Sequence, residues 1–409
     1  MNVKFVGCSL YCYILAIELK KKRPELEIEI IEKSDTILSM WKSLKINEQL
    51  VNNGFHGIEM PRSEELYHFL SQYLPNNFLV NSLNKKLIYA NGSISSFQEQ
   101  SSNWPSEYVS KLPKLKQISK HGYKDSIINS KIWNDISLCS ERYGDDPLEL
   151  LDVFYPWFFP SEYKFEGLDE GYTFQNSVRS GLVSPWYYQP KTGLFSDLII
   201  PLSSSLKNMG INISTNVSNS TEDFLSTKKS QISFWMSSMA NLYSYIKGKS
   251  NLEVRNKRYL HNMIFFLQED KFEFSEILVM APECIGLSRI SKLSETNKHK
   301  KSLVQLEYHS KENKVDSEEI RNITNLVRNI CATEVSFGGS SLGRVVFSIT
   351  PEVLKKAEQE VINFFNINKL DFNALIKRKY WYPINMNKCY IYAQEDLNLY
   401  LDEIDRKIS

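Results

Sequence analysis

The opening residues constrain the architecture of this chain more than any later segment. Asn2–Val6 is a short apolar run (Val3, Phe5, Val6) of the kind that forms a buried strand. Leu10–Lys22 then places Tyr11, Ile14, Leu15 and Leu19 at helical spacing, and a run of Lys20, Lys21, Lys22 and Arg23 leads into Pro24, which stops the helix. Residues 26–31 read as a second strand, followed at once by Glu32. Strand, tight turn, helix and strand in so short a span imply a parallel pair joined by a crossover helix. The expected class is therefore α/β.

The turn between the first strand and the helix reads Gly7-Cys8-Ser9-Leu10-Tyr11-Cys12. A dinucleotide-binding turn uses glycine three times. The first makes the tight turn, the second lets the backbone approach a pyrophosphate, and the third lets the helix pack on the strand. Those positions here are Gly7, Ser9 and Cys12. Ser9 puts a Cβ where a phosphate should lie, although its hydroxyl can donate to one. Cys12 is small enough for helix packing but holds the helix slightly away. Glu32 stands where an acidic side chain hydrogen-bonds an adenosine ribose. The unit reads as Rossmann-type, with its fingerprint reduced to one glycine.

A length of 409 residues suggests two domains, and 42% hydrophobic with 24% charged residues is the balance of a soluble globular protein. Lys plus Arg (49) nearly equals Asp plus Glu (48), so the charge argues for neither nucleic acid nor an acidic membrane surface as partner. The six cysteines show no metal-ligand spacing and several lie in apolar runs, which points to a reducing, cytoplasmic compartment without disulfides. No signal peptide or membrane-spanning run is recognisable. The scattered histidines suggest no metal site, and neither a nucleophile elbow nor a Walker loop is present.

Further along, residues 63–73 read as a helix capped by Ser63, and 194–209 as a helix ended by Gly210. Strands are expected at 211–214, 263–267, 274–282, 303–308 and 343–349, and a helix at 351–365. Residues 75–187 read as an inserted, mostly helical domain; 216–243 is serine-rich and gives no clear pattern. Gly338 to Gly343 reads as a surface turn.

The opening segment resembles the N-terminus of the flavin amine oxidase superfamily, which includes protoporphyrinogen-oxidase-like proteins, phytoene-desaturase-like proteins and UDP-galactopyranose mutases. Three later segments are similar to it in the same order: NNGFHGIEMP (52–61), YYQPKTGLFSDLIIPLSSSLKNMGINISTNV (187–217) and FSEILVMAP (274–282). The resemblance implies a discontinuous FAD-binding domain from 1–75, 190–290 and 375–409. A substrate domain of helices and antiparallel sheet would then take 76–189 and 291–374. It also implies FAD held by Gly7, Ser9, Cys12, Glu32 and Lys42, with His56 and Gly57 beside the flavin ring. His56 and Tyr382 are the weak catalytic candidates, and Trp381 and Tyr382 would face the flavin. The bland reading of His56 is a loop histidine bonded to backbone, and that of the aromatic clusters is core.

The departures from the family pattern are chemical. Besides Ser9 and Cys12, the family's Gly-Gly-Arg is replaced by Leu38-Ser39-Met40-Trp41-Lys42, with Met40 and Trp41 bulky where glycines are expected and Lys42 in place of the arginine. Thr192 replaces a glycine beside Gly193, and the family's C-terminal glycine-aspartate turn is absent. Three readings stay open. One is a FAD-dependent oxidoreductase or mutase acting on a small sugar-like or apolar substrate. Another is a cofactor-free relative serving as a binding or partner subunit in a biosynthetic complex; a protein partner or a homo-oligomer is compatible with any of the readings. The third is a transferase with a Rossmann-type nucleotide site.

Overall fold

A computed structural model describes residues 1–54, 57–60, 63–83, 86–90, 92–96, 186–218, 220–225, 231–237, 239–247, 255–269, 274–280, 287–293, 302–348, 351–368, 370 and 389–408. The N-terminal unit forms as its sequence dictates. Strand β1 (Asn2–Val6) leads through helix α1 (Leu10–Lys22) to β2 (Glu27–Ile31), which pairs with it in parallel. Two more parallel strands complete the small sheet: β10 (Asn212–Ser214) beside β2, and β11 (Gln231–Trp235) beside β1. The serine-rich stretch thus contains the strand next to β1, followed by helix α5 (Met239–Ile246).

Helix α1 is buried nearly all round, as an apolar stripe on every face demands. One side lies on the sheet. Others meet α2 (Glu64–Ser71), α3 (Ile199–Asn208) and the C-terminal helix α8 (Cys389–Ile408) through Leu70, Leu202, Leu206, Ala393 and Leu397. The polar tips of its two buried tyrosines find partners. Tyr11 donates to Asp396 Oδ2 (2.7 Å), and Tyr13 shares a hydrogen bond with Ser205 Oγ (2.6 Å).

The second body is a seven-stranded sheet in the order β16-β12-β15-β14-β13-β7-β8, antiparallel except where β13 (Glu276–Met280) runs parallel to β7 (Lys86–Ala90). Its other strands are β8 (Ser93–Ser96), β12 (Arg255–Leu267), β14 (Leu287–Lys292), β15 (Ser302–Ser310) and β16 (Val335–Ser348). One face is apolar. Met263, Phe265, Val304 and Leu306 pack against Ile323, Val327 and Ile330 of α6 (Ser317–Cys331). A hairpin of β3 (Leu44–Ile46) and β4 (Gln49–Val51), a three-stranded sheet of β5 (Ile58–Met60), β9 (Trp186–Pro190) and β6 (Leu79–Leu83), and helices α4 (Ser220–Leu225) and α7 (Pro351–Ile367, where the sequence predicts a helix) complete the described strands and α-helices.

The strand expected within 274–282 is β13, in the larger sheet. Two expectations differ from what is found. Within the expected helical insertion, Leu79–Leu83, Lys86–Ala90 and Ser93–Ser96 are strands, not helix, and 97–185 lie outside the described residues. Gly338 to Gly343 is no turn but the middle of β16. A Cβ on Gly338 would sit 2.7 Å from the Phe266 ring and 2.9 Å from Ile264, so the glycines let β16 cross large side chains of β12, at a shift in pairing register.

Candidate functional site

The carboxyl ends of β1, β2 and β11 open onto a cavity of about 660 Å³. Gly7 begins its floor with φ +102°, a backbone conformation that favours glycine. Its closest constraint is the protein itself, because a Cβ there would lie 2.8 Å from Ser237 N, just past β11. Cys8 N donates to Glu32 Oε2 (2.7 Å) and Ser34 N to Glu32 Oε1 (2.9 Å). Glu32, only 9% exposed, thereby ties the β1–α1 turn to the end of β2. Ser9 caps α1, accepting from Cys12 N at 3.3 Å. Cys12 is fully buried, and the Cys8 thiol is held well above its ordinary pKa by a hydrogen bond with Cys12 and by burial. Both sulfurs therefore behave as small apolar groups.

The segment after Glu32 closes over the turn. Leu38 N donates to Cys8 O (3.1 Å) with Leu38 in the left-handed region at φ 51°. The glycine-like backbone thus falls at Leu38, two residues before the bulky Met40 and Trp41 on which the sequence reading placed it. Leu38 lines the cavity with Ser39 and Met40, while Trp41 is buried edge-on against Phe195, their centroids 5.5 Å apart. Lys42 does not line the cavity. It pairs with Asp35 at 2.5 Å on the surface, and that ammonium holds the Asp35 carboxyl below its ordinary pKa.

Of the residues expected beside a flavin ring, Gly57 packs under Tyr187, whose ring would be 2.9 Å from an added Cβ. His56, Trp381 and Tyr382 lie outside the described residues. The same loop is fixed by Asn52, which donates to Gly193 O (2.8 Å) and accepts from Phe195 N (2.9 Å). Asn52 O in turn receives Gln305 Nε2 (2.7 Å), and Gln305 also donates to Asn262 Oδ1 (2.7 Å). This polar face of the larger sheet extends to Arg289, which meets Glu276 at 2.6 Å and Glu307 at 3.7 Å. Sequence reading passed over these residues, yet a signal was there: Gln305 and Glu307 alternate with apolar residues through β15. Thr221, Glu222, Asn241 and Tyr245, on the cavity's far wall, were hidden by the serine-rich stretch.

Among the described residues no group of three or more His, Cys, Asp and Glu is arranged to hold a metal, and no helix is long and apolar enough to cross a membrane.

This arrangement is similar in fold to several solved structures. A putative protoporphyrinogen oxidase from Exiguobacterium sp. 255-15 is similar over 98% of this chain and 99% of its own, with a TM-score of 0.56 and 11% identity. Reduced UDP-galactopyranose mutase is similar over 98% and 94%, with a TM-score of 0.60 and 11% identity. A fatty acid isomerase from P. acnes that produces CLA is similar over 97% and 98%, with a TM-score of 0.54 and 10% identity. The resemblance read in the opening segment is thus borne out at the level of the fold. No family model and no curated protein sequence matches the chain.

Proposed function

We propose that this chain binds a nucleotide-type ligand by its nucleoside half, at the carboxyl edge of its parallel sheet. The observation that carries this reading is the buried Glu32 carboxylate at the end of β2, facing a cavity of about 660 Å³ beside the Gly7 turn. Open α/β sheets take ligands at this edge, and an acid at the end of the second strand can bind ribose hydroxyls. The volume lies in the range of small-molecule sites.

FAD is the ligand that the fold suggests, and the residues match only part of it. Its nucleoside end matches Glu32 and the hydroxyl-bearing walls. Its diphosphate would meet Leu38 and Met40 where the family pattern has glycines, with Lys42 turned to Asp35 instead of the cavity. Among the described residues the diphosphate of FAD is not matched, so no chemical step is assigned to a flavin. The reading as a FAD-dependent oxidoreductase or mutase rests on the shared fold alone. The altered turn favours a binding subunit that does no redox chemistry.

The absorption spectrum of the purified chain, before and after adding FAD, separates the two. A protein without flavin bands that leaves added FAD unbound, but takes up a nucleoside, supports binding without flavin chemistry. Flavin bands in the purified protein overturn it in favour of the enzyme. If FAD binds only after Ser9→Gly with Cys12→Gly, those two side chains are what exclude it.

A further inference from the structure

The cavity already contains an anion of its own. In dinucleotide-binding turns the backbone N–H groups between first strand and helix meet a phosphate. Here Cys8 N donates to the Glu32 carboxylate at 2.7 Å, and Cys12 N donates to Ser9 Oγ at 3.3 Å. Glu222 brings a second carboxylate to the lining, and among the described residues Lys33 is the cationic side chain that lines it. On the side where a diphosphate would lie, Leu38 and Met40 are apolar and Lys42 is engaged with Asp35.

We infer that this cavity selects an uncharged nucleoside over any ligand carrying a diphosphate, FAD included. The inference rests on the nucleoside-half reading above and deepens it. Each Glu32 oxygen accepts one backbone N–H and keeps a lone pair for a ribose hydroxyl. Trp235 and Tyr245 supply aromatic wall for a base. A diphosphate at the turn would face Glu32, find two N–H groups already used, and meet, among the described residues, none of the arginine forks that recognise phosphate elsewhere.

The test is calorimetric titration of the full chain with adenosine, uridine, ADP, UDP and FAD at one ionic strength. The better nucleoside is expected to bind at least about tenfold more tightly than its diphosphate or FAD. Two variants probe the cause. Met40 is 38% exposed, so Met40→Arg leaves the core intact and is expected to raise the diphosphate-to-nucleoside affinity ratio about tenfold. Glu32→Gln is expected to weaken nucleoside binding and to raise the diphosphate-to-nucleoside affinity ratio, which a merely structural role for Glu32 would not change. A wild-type chain that binds ADP, UDP or FAD as tightly as the nucleoside overturns the selection and leaves the nucleotide site standing. Failure of all five ligands to bind overturns the site reading, and the selection with it.

Discussion

At the scale of single residues, Gly7 and Leu38 show that the turn over β1 is set by packing. Gly7 keeps its glycine because Ser237 approaches it, whatever ligand the turn holds. Gly7→Ala combines a side chain at φ +102° with a 2.8 Å approach to backbone, and is expected to cost at least about 2 kcal/mol, read as a lower midpoint in urea. Leu38 is the opposite case. Replacing it by glycine would relieve roughly 1–2 kcal/mol of left-handed strain. It would also empty a fully buried side chain, at about 2–5 kcal/mol. The burial term is larger, so Leu38→Gly is expected to destabilise. A variant more stable than wild type would show that Leu38 does not serve the core. Its left-handed backbone could not be read from sequence, because leucine carries no such preference and only tertiary contacts hold it there.

At the scale of elements, legibility followed periodicity. β1 and α1 fall where apolar spacing put them, since a helix buried all round and a short apolar strand leave strong local patterns. β11 did not, because Gln231–Trp235 stands between serine-rich segments and draws its burial from β1. The second half of β16 was expected at 343–349, but its first half was hidden by glycines that read as turn and serve close strand contact. Helix α6 was missed although Asp316 and Glu319 form a capping box at its start, a pattern visible in sequence. In the candidate site, Gly7 and Glu32 were legible from their offsets to β1 and β2. The fate of Lys42 was not, because it depends on the position of Asp35. The docking of α8 on α1 gives this scale its prediction. Tyr11→Phe removes the donor to Asp396 while keeping the ring, leaving a buried carboxylate short of a partner. The expected loss is about 1–3 kcal/mol by urea unfolding. A loss near zero would mean that apolar contact alone seats α8.

At the scale of the molecule, the two sheets meet through polar groups. The face of the larger sheet opposite α6 carries Asn262, Gln305, Glu307, Glu276 and Arg289, and it meets the loop that begins at Asn52. Gly54 approaches so closely that a Cβ there would lie 3.3 Å from Glu307 Oε1. A buried layer of this kind adds little net stability compared with apolar packing, but breaking it is costly. Arg289 is the shared cation of Glu276 and Glu307, all three largely buried. Arg289→Met keeps much of the side-chain volume and removes the charge between two carboxylates, so a loss of about 3–5 kcal/mol is expected. Arg23 is the control. It also bridges two carboxylates, Glu25 and Asp405, but at the surface, where solvent screens both pairs. Arg23→Met should leave the urea midpoint almost unmoved. If the two variants unfold at the same denaturant concentration, the buried Arg289 cluster holds the larger sheet together no better than an exposed bridge does.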